Sequence, residues 1–296
     1  MTNLSMNTVQ EGRIDAARPA RRRRWRIGSK ILSLIMLLIG LLMVSPIVWL
    51  ISTSLTGPSG AFQLPPNWIP NPLSFENFGQ VFELVSFGQM AFNSVLVATI
   101  VTVGSLLTSI LAAYAFSRLR FPGSRVLFVG MLSALMVPGQ LTIIPVFIMM
   151  RNLHLIDTLT ALWLPALVNV FAIFFLRQYF NSIPRDLDDA AKIDGAGHFW
   201  ILFRLIVPLS SPAISALVIL NFQASWNDYF NPLIFITSTE NMTLPLGLVY
   251  LSGGQGGGPT VVIFAAITMV VVPVLVLFLV FQRNFVASVA ASGIRG

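Results

Sequence analysis

Eleven acidic residues, eighteen Lys/Arg, two histidines and no cysteine are the groups from which this 296-residue chain can build chemistry. Without cysteine there is no disulfide, thiol nucleophile or thiolate metal site. His154 and His198 lie far apart in sequence and form no metal-ligand pair. No Ser-His-Asp set, paired catalytic carboxylates or cofactor motif is visible, so the chain reads as no enzyme in its own right and as holding no metal. What remains is recognition chemistry in two places. One is a run of acids among small residues: Asp186, Asp188, Asp189, Ala190, Ala191, Asp194, Gly195 and Ala196. The other is Asn221, Gln223, Trp226, Asn227 and Asp228. Amides hydrogen-bond hydroxyls and an indole stacks on apolar ring faces, so this second set suits the lining of a polyhydroxylated solute's pathway; equally, it suits an interhelical hydrogen-bond network. His154, with Arg151 and Asp157, reads as part of a connector.

The elements that must position these groups follow from composition. Hydrophobic residues make up 55% of the chain and charged residues only 10%, with a mean hydropathy of +0.81; soluble domains carry about 25% charged residues. Such a chain cannot cover itself with a water-facing surface, and much of its exterior must face lipid. Apolar stretches at residues 31–55, 90–117, 126–150, 159–180, 209–236 and 260–281 each approach or exceed the roughly 20 residues that span a bilayer. The expected fold is an all-α membrane protein of six transmembrane helices without a soluble domain. Residues 1–30 form a basic tail, 31–283 the membrane domain, and 284–296 a second tail. The run Arg21–Arg24, Trp25, Arg26 is a membrane flank and no nucleic-acid site. The apolar stretch behind it is longer than a signal-peptide core, so it reads as an uncleaved first span. Asp228 then falls inside the fifth span, where a charge is costly and faces a cavity or a partner.

Orientation follows from cation placement. With the N-terminus cytoplasmic, seventeen of the eighteen Lys/Arg fall inside and Arg151 alone outside. An even number of spans returns the C-terminus to the cytoplasm. The outer segment 56–75 is rich in Pro, Gly and aromatic residues, and 252–258 is Gly-rich and reads as flexible; both suit docking to an external partner and serve equally as plain connectors. Pro46, Pro138, Pro145, Pro165 and Pro273 kink the helices that contain them.

The inner segment 181–212 reads as two short helices with a break. Ser182 is a candidate N-cap with Pro184 in the first turn, and the aspartates complement the helix dipole. Leu187, Ala190, Ala191 and Asp194 share a face, and Gly195 suits a left-handed C-cap. A second helix starts near Gly197 and ends before Pro208. Small alanines beside acids can seat closely against another protein; otherwise the segment is an amphipathic connector on the membrane surface.

This segment resembles the EAA loop of binding-protein-dependent ABC importer permeases. Asp189-Ala190-Ala191, three residues, Gly195, nine residues, then Leu205-Ile206-Val207-Pro208 follow that family's Glu-Ala-Ala, x3, Gly, x9, Ile-x-Leu-Pro, with mild departures at Asp189, Leu205 and Val207. Segments 156–184, 226–236, 243–248 and 281–296 are similar to the maltose-type carbohydrate permeases, and specifically to the six-span partner of that pair. The resemblance implies that Asp189, Ala190, Ala191, Asp194, Gly195, Ala196 and Pro208 belong to a coupling loop between spans 4 and 5, seated on a separate ATPase. It also implies a second homologous permease, two cytoplasmic ATPase subunits carrying ATP and Mg, an extracytoplasmic solute-binding protein, a bacterial-type cell membrane location, and a sugar or related solute moved by alternating access.

Residues 251–255 spell Leu-Ser-Gly-Gly-Gln, the signature string of ABC ATPases. It falls in an outer loop, and neither Lys30 nor Lys192 sits in a GxxxxGK[ST] loop that would cradle phosphates; the string reads as coincidence. A proton- or sodium-driven transporter would need intramembrane ionisable groups, of which Asp228 is the lone candidate. A non-transport membrane scaffold would need no coupling loop.

Overall fold

In the computed structural model, which describes residues 20–57, 68–70, 72–253 and 258–293, the chain is helical almost throughout, and its extended pairing among those residues is one antiparallel bridge between Thr56 and Leu73. It divides into two units between Leu50 and Ile51. The first unit includes most of α1 (Ala20–Ser54), a 35-residue helix. The basic run therefore lies inside a helix that starts at Ala20, because arginine is a good helix former and runs directly into the apolar stretch. Pro46 has no N–H for the carbonyl of Leu42, and Ser45 Oγ donates to that carbonyl at 2.8 Å instead.

The second unit holds α2 (Glu76–Leu84), α3 (Phe87–Arg118), α4 (Ser124–Ser133), α5 (Gly139–Asn152), α6 (Thr160–Trp163), α7 (Val170–Ser182), α8 (Asp186–Ile193), α9 (His198–Leu209), α10 (Ser211–Trp226), α11 (Phe230–Phe235), α12 (Leu244–Ser252) and α13 (Thr260–Gly293). Among the described residues three helical segments are long and apolar enough to cross a membrane singly: Lys30–Ser54, Phe87–Arg118 and Thr160–Ser182, the last comprising α6 and α7. With each bent pair taken as one span, five qualify; the described apolar part of the last helix, Thr260–Val276, is shorter. That helix continues to Gly293, through most of the expected C-terminal tail.

Three expected spans are broken rather than gently kinked; the fourth leaves the helix at extended Val168 and Asn169, between α6 and α7. The third splits into Ser124–Met136 and Gly139–Asn152, bent by 104°. Val137, held extended by the following Pro138, separates them. In the fifth, the helix ends at Trp226 and restarts at Phe230. Pro232 cannot donate to the carbonyl of Asp228, so the chain leaves the helix at Asn227 and places Pro232 in the first turn of α11, where no donor is required. Asp228 is consequently a break residue, not a helix-interior charge.

Helix crossings are made close by small residues. Ala113, Ala172 and Ala213 are buried in one apolar cluster joining α3, α7, α9 and α10. Gly104 faces the side chain of Leu167 so closely that a Cβ there would overlap it. Lipid is as apolar as a helix surface, so tight packing of this kind and buried polar bonds carry the association. A second cluster, with Val81, Met90, Met150, Trp226 and Phe235, lies toward the N-terminal half of α3.

Candidate functional site

The segment 181–212 forms two helices, but its start differs from expectation. Ser182 is the last residue of α7 and its hydroxyl donates to Tyr179 O at 2.7 Å, so it caps nothing; Arg185 stands at the N-cap position of α8. The end matches in detail. Gly195 is left-handed, with φ of 84°. Its N–H donates to Lys192 O at 3.0 Å and Ala196 N–H to Ala191 O at 2.9 Å, the paired bonds of a Schellman motif. The second helix, begun after Gly197, runs through Pro208 to Leu209 instead of stopping before it. Residues 201–206 are π-helical, with Val207 N–H reaching back to Leu202 O. That wider register accommodates the proline's missing donor, and the chain turns by 80° into α10.

Helix α8 has two faces. Outward stand Asp189, Ala190, Ile193, Asp194 and Gly195, all exposed, with Ile193 87% accessible. Asp189 pairs with Lys192 at 3.0 Å, an exposed contact worth little. Ala191 and Ala196 are half-buried against the α3/α7/α9/α10 cluster. The expected common face of Ala190 and Ala191 is thus divided: Ala190 points out and Ala191 in.

The inward face carries what the sequence did not flag. Arg118, the last residue of α3, places Nε 2.9 Å from Asp188 Oδ2, with the two side chains only 4% and 7% exposed. Arg118 Nη2 also donates to Ile183 O at 3.0 Å. In return, Arg185 Nη2 donates to Ser117 O at 2.9 Å and Arg177 Nε to Phe116 O at 3.2 Å, so the last carbonyls of α3, which lack helical partners, are met by cations where the helix dipole favours them. The Arg177 guanidinium lies 4.0 Å from the centre of the Phe128 ring. In sequence these arginines register only as positive-inside charges; no local spacing links residue 118 to residue 188.

The second set of expected residues surrounds a cavity of about 710 Å³ bounded by α3, α5, α7, α10 and α11, a volume typical of small-molecule sites. Asn221 and Asp228 line it; Gln223, Trp226 and Asn227 do not. Trp226 is buried and its indole N–H donates to Val270 O at 3.3 Å, while Gln223 and Asn227 are exposed away from the cavity. Added to the lining are Ser105, Gln140, Asn169 and Asn231. Asn221 is buried and bridges two helices: Nδ2 donates to Ser105 Oγ at 3.0 Å, and Oδ1 accepts from Asn169 Nδ2 at 3.0 Å. Asn169 in turn caps α7 by accepting from Ala172 N–H. Asp228 accepts from the Asn231 backbone N–H at 3.2 Å and side chain at 2.8 Å, capping α11. Among the described residues that line it, Asp228 alone is ionisable.

At the end of the bundle opposite α8, Asp157 ties two connectors together. Its Oδ1 accepts from Thr237 N–H, Ser238 N–H and Ser238 Oγ, each within 3.0 Å, and its carbonyl accepts from Asn241 Nδ2 at 2.7 Å. Burial opposes its charge, but the bonds from Ser238 and Thr237 outweigh it and hold the carboxyl below the usual carboxylate range. His154 and Asp157 both adopt positive φ there. Of the Leu-Ser-Gly-Gly-Gln string, Gly254 and Gln255 lie outside the described residues, as do 1–19, 58–67, 71, 256–257 and 294–296.

Broken apolar helices around a polar-seamed cavity, with a short helix bolted beneath, define a class of helical membrane transport subunits. Residues 104–291 match the model of the binding-protein-dependent transport system inner membrane component; the chain belongs to that family. It is 35% identical to the arabinooligosaccharides transport system permease protein AraQ of Bacillus subtilis over 268 residues, covering 90% of this chain and 95% of the relative. It is 33% identical to the sn-glycerol-3-phosphate transport system permease protein UgpE of Yersinia pestis over 276 residues, covering 90% and 98%. A chain of a bacterial ABC transporter involved in import of the acidic polysaccharide alginate superposes with a TM-score of 0.77 at 26% identity, covering 89% of this chain and 98% of that one.

Proposed function

We propose that this chain is the permease subunit of an ATP-driven importer of neutral sugars or oligosaccharides. It pairs with a second, homologous permease. Two cytoplasmic ATPase subunits, carrying ATP and Mg, bind the coupling loops of the pair, and an extracytoplasmic solute-binding protein delivers the solute. This chain binds no cofactor itself, and both its termini face the cytoplasm of a bacterial-type inner membrane. ATP-driven closure of the ATPases moves the loops, and the helices alternate between outward- and inward-open states.

The observation that carries this reading is the two-faced α8: one side anchored to the bundle, the other presenting Ala190, Ile193 and Asp194, left exposed by the described residues. A small, apolar-centred, acid-edged face of this kind fits a groove on another protein. The solute class is supported by the cavity, whose hydrogen-bonding groups are amides and hydroxyls and whose ionisable side chain is a carboxylate. Those groups suit hydroxyls, and the carboxylate repels phosphorylated, sulfonated or uronate solutes.

The test is the reconstituted complex in proteoliposomes with Ala190→Arg. Because Ala190 is exposed, the variant folds, but a guanidinium cannot enter the socket built for a methyl group. Solute uptake coupled to ATP hydrolysis is expected to disappear; normal coupled uptake ends the assignment of α8 to the ATPase contact.

A further inference from the structure

We propose that the buried Arg118–Asp188 pair is the joint through which α8 drives the cavity wall, with α3 as the rod. This rests on the function proposed above and adds the route inside the chain. The pair joins the moving element to the end of a helix that has no internal proline and runs 32 residues, roughly 48 Å at 1.5 Å per residue. Ser94, Val97, Val101 and Ser105, on that same helix, line the cavity. The loop's two covalent connections are less direct: α9 is π-helical over 201–206 and meets α10 at an 80° break, a wide register followed by a corner that transmits displacement poorly, and α7 reaches the lining only at its first residues, where extended Val168 and Asn169 end it.

The joint's chemistry is unlike that of a structural staple. Among the described residues Asp188 Oδ1, Arg118 Nε and Arg118 Nη1 are buried without a hydrogen-bond partner, so the 2.9 Å approach of Nε to Oδ2 is an ion pair and not an aligned hydrogen bond. A pair kept for stability alone would satisfy those atoms or be replaced by apolar packing, which serves stability as well or better. A single short ion pair instead holds α8 against the end of α3 by charge, while Arg118 Nη2 and Arg185 fix the flanking backbone. Arg118 and Asp188 are positioning residues: neither lines the cavity.

The native chain lacks cysteine, so Ala224→Cys, on the cavity lining, creates a unique reporter. In the complete complex with its ATPase subunits, a membrane-impermeant maleimide is expected to label the introduced thiol at rates that differ by about tenfold or more between nucleotide-free and ATP/vanadate-trapped states, as the two conformations exchange populations. With Asp188→Asn, and with the apolar pair Arg118→Met/Asp188→Leu, the complex is expected to assemble and hydrolyse ATP while that difference falls below about twofold. The swapped pair Arg118→Asp/Asp188→Arg is expected to restore most of it. Full nucleotide-dependent switching in the apolar pair overturns the joint, and so does failure of both the Asp188→Asn variant and the apolar pair to assemble, which would assign the pair to folding. If the Ala224→Cys chain itself acquires no ATPase subunits or shows no nucleotide dependence, the importer assignment fails instead.

Discussion

Gly195 offers the sharpest numerical test of the coupling loop. Its φ of 84° lies in the left-handed region, and a Cβ built on it meets nothing within 4 Å. Substitution there therefore costs backbone strain without a clash. For an L-residue that strain is about 1–2 kcal/mol, less for Asn and more for β-branched side chains. The Schellman bonds from Gly195 and Ala196 are the C-terminal closure of an eight-residue helix, a length that is not stable by itself. At 1.4 kcal/mol per tenfold, Gly195→Ala should shift the local open–closed balance of α8 by about five- to thirty-fold. Gly195→Val should exceed that, and Gly195→Asn should fall below it. The assay is amide hydrogen exchange at residues 190–196 alongside ATP-coupled uptake. Protection and uptake should fall in the order Gly, Asn, Ala, Val. If the Gly195→Val and wild-type chains exchange and transport alike, the left-handed cap is not what shapes the lever.

Other expectations follow from individual contacts. Asp157 has a folded-state pKa held below its ordinary value, so its contribution to this clamp is present above about pH 4 and lost as pH falls through that lowered value; protection of the Thr237 and Ser238 amides, relative to free-amide exchange at the same pH, should hold from pH 8 to 5 and fall as pH drops through the lowered value, whereas Asp157→Ala should show little protection throughout. Gly104→Ala forces Leu167 aside, an overpacking cost of about 1–3 kcal/mol offset in part by about 1 kcal/mol of helix propensity; detergent melting should show a lower Tm, restored by adding Leu167→Ala. Asn221→Leu strands Asn169 and Ser105, at about 1–3 kcal/mol per orphaned group, and should reduce both Tm and uptake, while Gln223→Ala, outside the cavity, should leave uptake unchanged.

Much of this architecture was readable as pattern. Apolar runs located the helices because lipid demands them, and the spacing from Asp189 to Pro208 located the loop because a helix, a left-handed glycine and a second helix each have local residue preferences. Gly195 illustrates this: its conformation depends on a handful of neighbouring residues. Pattern failed where a proline's effect depends on its neighbours. Pro46 sits within a continuing helix because Ser45 meets the freed carbonyl, whereas Pro138 accompanies a 104° break.

From sequence alone came the helical membrane class, the loop, and the family resemblance, all properties of contiguous residues. Tertiary structure decided the rest. It turned Ala190 outward and Ala191 inward, removed Gln223, Trp226 and Asn227 from the cavity while bringing in Asn169 and Asn231, and set Arg118 against Asp188. Helix periodicity specifies which residues share a face. Which neighbour that face meets is a long-range matter, settled by small residues at helix crossings and by polar groups that must find partners once water is gone.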